Sequence, residues 1–418
     1  MNGSSRLLLA SLLVAQAVSE FGDWLIFIFV VTTIYSLSKS AVLLGVFFTI
    51  QSVTTIVIAP YAGYVLERAG VARLLYAGRL LQSLSLLLPL AVAVLTRDHR
   101  WLILSLFAAF PVLRAVDVVL GIGISALLPQ LFSGKELVRA NAAFSTASNL
   151  LVVVMPALSG VLIAYLSFSQ ALTIDLASYS VAGLVALPVL ARLTSAARGL
   201  RSTNENAAGR QGKGFFNQIG QLFGVVKALP IARYAALVIF VFMIGGGAIN
   251  TIMPAFALMI GDAKTFGYMT SLTGAGFLIT SAALMFKTLA ISPQKLVAAG
   301  LGVIAVADLA WYAAHDPVPA VTIAFVNGVG NELFGLGFTT FLQTSTKARH
   351  LPRLLAAVSL AREGASAVSP AFGGALGGLL GVRSVFLFAA ALTGVGIVAS
   401  SLASGRIDDG EAAKEPTE

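Results

Sequence analysis

Eight ionisable residues inside otherwise apolar stretches of this chain are singled out as candidates: Glu20, Asp23, Arg114, Asp117, Asp175, Asp308, Glu332 and Glu363. An ionised side chain at mid-membrane costs roughly 2.5–3.5 kcal/mol on insertion scales, so each needs a partner or a function. Glu20 and Asp23 are three residues apart and share a helix face with Gln16 one turn below. Two partly desolvated neighbouring carboxyls suit proton exchange or recognition of a cationic substrate. The alternative is a structural pair neutralised by Arg114. Arg114 and Asp117 share a face by the same spacing and can equally form a permanent pair within their helix. Glu332 stands in a stripe of Gly328, Gly335, Thr339 and Gln343, with Asn327 and Asn331 one face over. Small and polar residues at that period suit a cavity wall or a tight helix–helix seam, and Glu332 is the next proton-carrier candidate. Asp175, close to the end of its span, is expected to be structural and Asp308 to form an outer-leaflet pair. Arg362 and Glu363 read as gate or interface residues.

The elements that position these residues follow from composition. Hydrophobic residues make up 58% of the 418 and charged residues 11%, with mean hydropathy +0.91, against about 25% charged in a soluble domain. Runs of about 20 apolar residues, enough to span a bilayer, are read at 7–34, 41–66, 74–96, 101–128, 139–164 and 171–193. A second set runs at 233–260, 266–287, 295–314, 318–343, 354–380 and 382–404. The reading is all-α, with an N-terminal six-helix half over 1–193 and a C-terminal one over 231–404. Between them, 194–230 is a cytoplasmic linker, where Phe215, Phe216, Ile219, Leu222, Phe223 and Val226 recur at helical spacing as an amphipathic helix. A disordered acidic tail is expected over 405–418. With the N-terminus inside, twenty-one Lys and Arg collect on the cytoplasmic side, Arg79 among them, against five outside. The positive-inside rule then puts both termini in the cytoplasm. The first apolar run is too long for a signal-peptide core and reads as a retained span.

Several function classes drop out. The chain has no cysteine, and its three histidines fall in expected loops, so thiolate and imidazole metal sites and cysteine nucleophiles are excluded. No Walker loop or His/Asp/Ser constellation is present, so neither ATP drive nor an enzyme is encoded. The net charge of +9 is spent on membrane orientation, not on nucleic acid.

The halves repeat. At an offset of 214, Arg139, Ala142, Ala143 and Ser145 fall on Arg353, Ala356, Ala357 and Ser359, while Pro156, Ala157 and Gly160 fall on Pro370, Ala371 and Gly374. Parallel repeats about an axis along the membrane normal are the geometry of one large transporter class. Pro156 with Gly160, and Pro370 with Gly374, are candidate bending points, though close packing also explains glycines there. Gly245, Gly246 and Gly247, before Asn250 and Pro254, suggest an irregular seventh helix.

Gly63-Tyr64-Val65-Leu66-Glu67-Arg68-Ala69-Gly70-Val71-Ala72-Arg73 resembles the signature cytoplasmic loop of the major facilitator superfamily, with Glu67 where that family usually has Asp. Within the superfamily, the chain is most similar to the drug–proton antiporter branch that includes macrolide exporters and the enterobactin exporter. The residues are Ser19-Glu20-Phe21-Gly22-Asp23, Ser40-Ala41 with Gly45, Ala126 to Gln130, Arg139-Ala140-Asn141-Ala142, and Ile174 to Tyr179. Two motifs depart. The antiporter Gly-Pro of span five is Met155-Pro156 here, and span four's Arg-Gln-Gly is echoed only by Arg114, Asp117 and Gly121.

The resemblance implies that helices one, four, seven and ten line a cavity, where Glu20, Asp23, Arg114, Asp117, Asn250 and Glu332 would handle protons and substrate. Gly63, Glu67, Arg68 and Arg73 would gate its cytoplasmic side. It implies a monomeric, multi-pass transporter of a bacterial inner membrane, without cofactor or resident metal, driven by the proton gradient to export a small amphipathic or cationic compound. The alternatives are uptake or uniport of a metabolite or metal, with Glu20, Asp23 and Asn250 as an oxygen-rich set, and a non-transporting membrane scaffold.

Overall fold

The computed structural model describes residues 3–96, 98–132, 134–187, 230–286, 292–346 and 351–411. These form twelve α-helices: α1 Gly3–Ser38, α2 Ala41–Ala69, α3 Val71–Leu95, α4 His99–Leu131, α5 Gly134–Leu162 and α6 Phe168–Val185, then α7 Pro230–Ile260, α8 Ala263–Phe286, α9 Pro293–Ala313, α10 Pro317–Thr344, α11 Leu351–Leu379 and α12 Ser384–Glu411. In lipid every backbone N–H and C=O must be satisfied within the protein, and a helix does this inside one segment. Eight of the helices (α1–α5, α7, α9 and α10) carry a stretch long and apolar enough to cross a bilayer.

The joints follow local chemistry. Gly70 and Gly381 adopt φ of 79° and 90°, a region glycine enters without a Cβ penalty, and each separates two helices. Asp98 accepts the Arg100 N–H to cap α4, and Ser167 with Gln170 forms a capping box on α6. Proline opens α9 and α10, where its missing N–H is no loss. Helices also outrun the apolar stretches read from sequence. α12 continues through Arg406 and Asp408 to Glu411, past the apolar stretch read to 404, since a helix already formed propagates through polar residues. The linker helix around Phe215–Val226 and residues 412–418 lie outside the described residues.

The chain divides into two compact units, one of residues 1–38 and 50–212, the other of 39–49 and 213–418. In the first, α1 packs on α5 and α6, and α3 on α4 and α6; in the second, α7 packs on α11 and α12, and α9 on α10 and α12. The same four pairings thus recur six helices later. The core of the second unit is built on Phe334, Phe338 and Phe341 of α10 with Val238, Ile304 and Leu354. In the first unit, Leu8, Leu12, Leu75, Leu120 and Leu127 join α1, α3 and α4 below the polar residues of the same helices.

Candidate functional site

A connected polar network runs through the first unit between α1, α3, α4, α5 and α6. On α1, Gln16 donates through Nε2 to Glu20 Oε1 at 2.6 Å, and Ser148 of α5 donates to the same oxygen at 2.9 Å. One turn on, Asp23 Oδ1 accepts the Tyr179 hydroxyl of α6, and its Oδ2 faces the Ser19 hydroxyl at 3.4 Å. The spacing read from sequence therefore puts both acids on one face, turned toward neighbouring helices.

The cation at the centre is Arg79. It is 6% exposed, donates to Gln82 Oε1 at 2.9 Å and Gln16 Oε1 at 3.4 Å, and lies 3.8 Å from Asp117 Oδ1. Gln82 Nε2 donates to Asp117 Oδ1 at 2.7 Å, and the guanidinium stands 5.7 Å from the Tyr179 ring centroid. Beside Gln16 and Arg79 is a recess the size of one water molecule, closed by Leu12, Ala15, Leu75, Ile124, Ala182 and Ala186. Assigning Arg79 to the cytoplasmic charges is thus corrected. It sits inside α3, where Gln16, Gln82, Asp117 and the π-face of Tyr179 replace its hydration. The signal was available: Arg79 and Gln82 are three apart within an otherwise apolar run, the spacing used for Glu20 and Asp23.

Asp175 completes the group. It is fully buried, with Ser178 Oγ 3.4 Å from its Oδ1 and no hydrogen-bond partner on Oδ2. Gly22 makes this approach possible, because a Cβ there would overlap Ser178 Oγ and Asp175 Oδ1. Four carboxyls, Glu20, Asp23, Asp117 and Asp175, thus surround one buried guanidinium among the described residues. The network can hold protons or attract a cation.

The other expected residues are placed as follows. Arg114 is exposed and donates to Thr55 of α2 at 2.8 Å, so Asp117's ion-pair partner is Arg79 and not Arg114. Glu332 of α10 is half-buried beside Ser281 of α8, and Asn250 of α7 is exposed; both belong to the second unit. Asp308 is buried against Asn327, whose Nδ2 is 3.4 Å away, and Asn331 donates to Asn327 Oδ1 at 2.8 Å. A neutral amide therefore replaces the expected charged partner. Arg362 and Glu363 pair at 3.5 Å, both half exposed. At the expected gate, Arg68 donates to Tyr64 at 2.6 Å, Arg73 is exposed, Gly63 has open space around it, and the Glu67 side chain lies outside the described residues.

Among the candidate bending residues, Gly374 has a packing contact. Pro156 lies within an unbroken α5, with Gly160 buried beyond it, and Pro370 and Gly374 lie within an unbroken α11. A Cβ on Gly374 would come within 2.7 Å of Gly45 Cα, so this glycine allows α2 and α11 to touch. α7 likewise runs unbroken through Gly245–Gly247, correcting the expected irregularity. Gly247 meets Ser369 of α11 and Gly245 meets Ala389 of α12, so close crossing explains these residues.

A sequence profile of the Major Facilitator Superfamily matches residues 12–314 and, in a second match, 235–418. Three solved structures share the fold over nearly their whole lengths. A bacterial homologue of the iron transporter ferroportin, in an inward-facing state, has TM-score 0.73 and 16% identity, covering 96% of this chain and 99% of that one. A bacterial metal transporter has TM-score 0.68 and 15% identity with the same coverage, and a peptide transporter POT has 0.69 and 14%, covering 96% and 94%. No protein of curated function matches the sequence.

Proposed function

Because the chain belongs to the Major Facilitator Superfamily, a family of membrane transporters, we propose that it exports a small amphipathic or cationic compound in exchange for protons. The observation that carries this is the excess of acid over base in the polar network of the first unit: Glu20, Asp23, Asp117 and Asp175 around Arg79. One guanidinium neutralises one carboxylate. Protons or a bound cation would meet the remaining negative charge, above all at the fully buried Asp175, where an unpaired ionised group costs several kcal/mol. Two positive species competing for one site is the requirement of antiport. A proton bound from one side must leave before the cation binds, and the reverse.

Export is supported by the branch that Ser19–Asp23 and Ile174–Tyr179 resemble. The reading places two six-helix halves, 1–193 and 231–404, in a bacterial inner membrane with both termini cytoplasmic, following the bias of Lys and Arg. Glu332 and Asn250 would serve the same cargo from the second half, and rocking between the halves would give alternating access. Gly63, Glu67, Arg68 and Arg73 would close the cytoplasmic side.

A metal ion as cargo is the second reading, favoured by the four carboxyls and by likeness in fold to a bacterial metal transporter and to a bacterial homologue of an iron transporter. Against it, the Glu20 and Asp23 oxygens already accept from Gln16, Ser148 and Tyr179, whereas a hard cation takes six to eight converging oxygens.

The test is proton movement in proteoliposomes on addition of a lipophilic organic cation, tetraphenylphosphonium, with manganese in a parallel arm. Cation-driven proton release that Glu20→Gln and Asp23→Asn abolish supports the reading. Absence of any pH response, with transport unaltered in both variants, sinks it. Proton-independent manganese flux alone establishes the second reading.

A further inference from the structure

We propose that Asp175 is a second proton-binding carboxyl of the transport site and takes its proton on Oδ2. The inference rests on the proton-coupled reading of that site and extends it to a residue that the sequence had assigned to structure.

Asp175 is 0% exposed and its Oδ2 has no hydrogen-bond partner. Its Oδ1 has only Ser178 Oγ, at 3.4 Å, beyond the usual range for a hydroxyl donor. An ionised carboxylate offers about four acceptor positions and is costly to bury with so few filled. The groups facing it from each packed element are known. α1 brings Asp23, α3 brings Arg79, α4 brings Asp117, and α6 itself brings Tyr179 one turn on. Arg79 is already held by Gln16, Gln82 and Asp117, and Arg114 of α4 is bound to Thr55. Among the described residues, no cation hydrogen-bonds to Asp175, and Arg79 reaches it only through space. A proton on Oδ2 removes the charge and turns an orphaned acceptor into an O–H donor.

Exchange follows from the neighbour. The Tyr179 hydroxyl is bonded to Asp23, and Asp23 and Asp175 interact electrostatically. Two carboxyls coupled in this way do not titrate independently: the charge on one disfavours charge on the other. The pair therefore takes up its protons in separate steps, and acidification adds one to each.

The experiment is infrared difference spectroscopy of the purified full-length chain in lipid, between alkaline and acid pH, with carbon-13 in the aspartate carboxyls. A label-sensitive carboxylic acid band should rise on acidification. Asp175→Asn should remove one component of it, and Asp308→Asn, outside the site, should leave that component in place. If Asp175→Asn does not fold, Asp175→Glu keeps an acid at the position, and the component should lose its sensitivity to the aspartate label. A band identical to the wild type in whichever of these variants folds overturns the assignment. Loss of the component supports it even where proteoliposomes show no proton flux, a result that would sink the coupled-transport reading alone.

Discussion

Arg79 determines how many charges the first unit must balance. It touches Gln16, Gln82 and Asp117 and lies against Tyr179, so it ties α1, α3, α4 and α6 together at one point. Arg79→Gln should abolish transport and lower stability by about 3 kcal/mol, the low end for removing one partner of a buried pair, because Asp117 is a third exposed. Adding Asp117→Asn should restore most of the stability, since no uncompensated charge remains, but not the transport. Thermal melting and cation uptake measured on the same preparations separate the two effects. At this scale the sequence was partly legible. Glu20, Asp23 and Asp117 were found because an acid within an apolar run has few explanations. Arg79 was missed because a basic residue near the start of a span also suits the membrane surface, and the difference lies in partners on three other helices. Tyr179 was legible only as part of the resemblance over Ile174 to Tyr179, since an aromatic body with one polar tip otherwise reads as core.

The helices themselves were legible because bilayer thickness fixes their length and the missing solvent fixes their hydrogen bonding. What glycine does within them was not, because spacing alone does not separate a bend from a close crossing. Gly22 is the sharpest case: its missing Cβ is the space in which Asp175 and Ser178 of α6 sit against α1. Gly22→Ala should push α6 away, cut transport at least about tenfold and lower the melting temperature, as overpacking of a core typically costs 1–3 kcal/mol. Gly374→Ala should be similarly harmful, since its Cβ would meet Gly45 Cα and the Ala41 carbonyl. Gly335→Ala, where a Cβ meets nothing within 4 Å, should be neutral. A melting series over the three variants checks the order. Equal effects at Gly374 and Gly335 would return Gly374 to the role of a hinge.

For the whole molecule, the proposed exchange has a quantitative signature in binding. If protons and an organic cation neutralise the same carboxyls, acidification must weaken cation binding, because each added proton removes a charge the cation would have met. By linkage, the Kd for tetraphenylphosphonium should rise by up to about tenfold per pH unit for each proton displaced. By reciprocity, adding the cation should expel the same number of protons into unbuffered solution. Asp23→Asn should flatten the slope, since an amide neither ionises nor releases a proton. Asp308→Asn, in a separate Asn327–Asn331 cluster, should leave it unchanged. Equilibrium binding of the labelled cation to the purified chain across a pH series gives the slope without any need for transport to run. A Kd that stays level with pH would mean that cation and proton occupy separate places, and the first unit's acids would then need another partner.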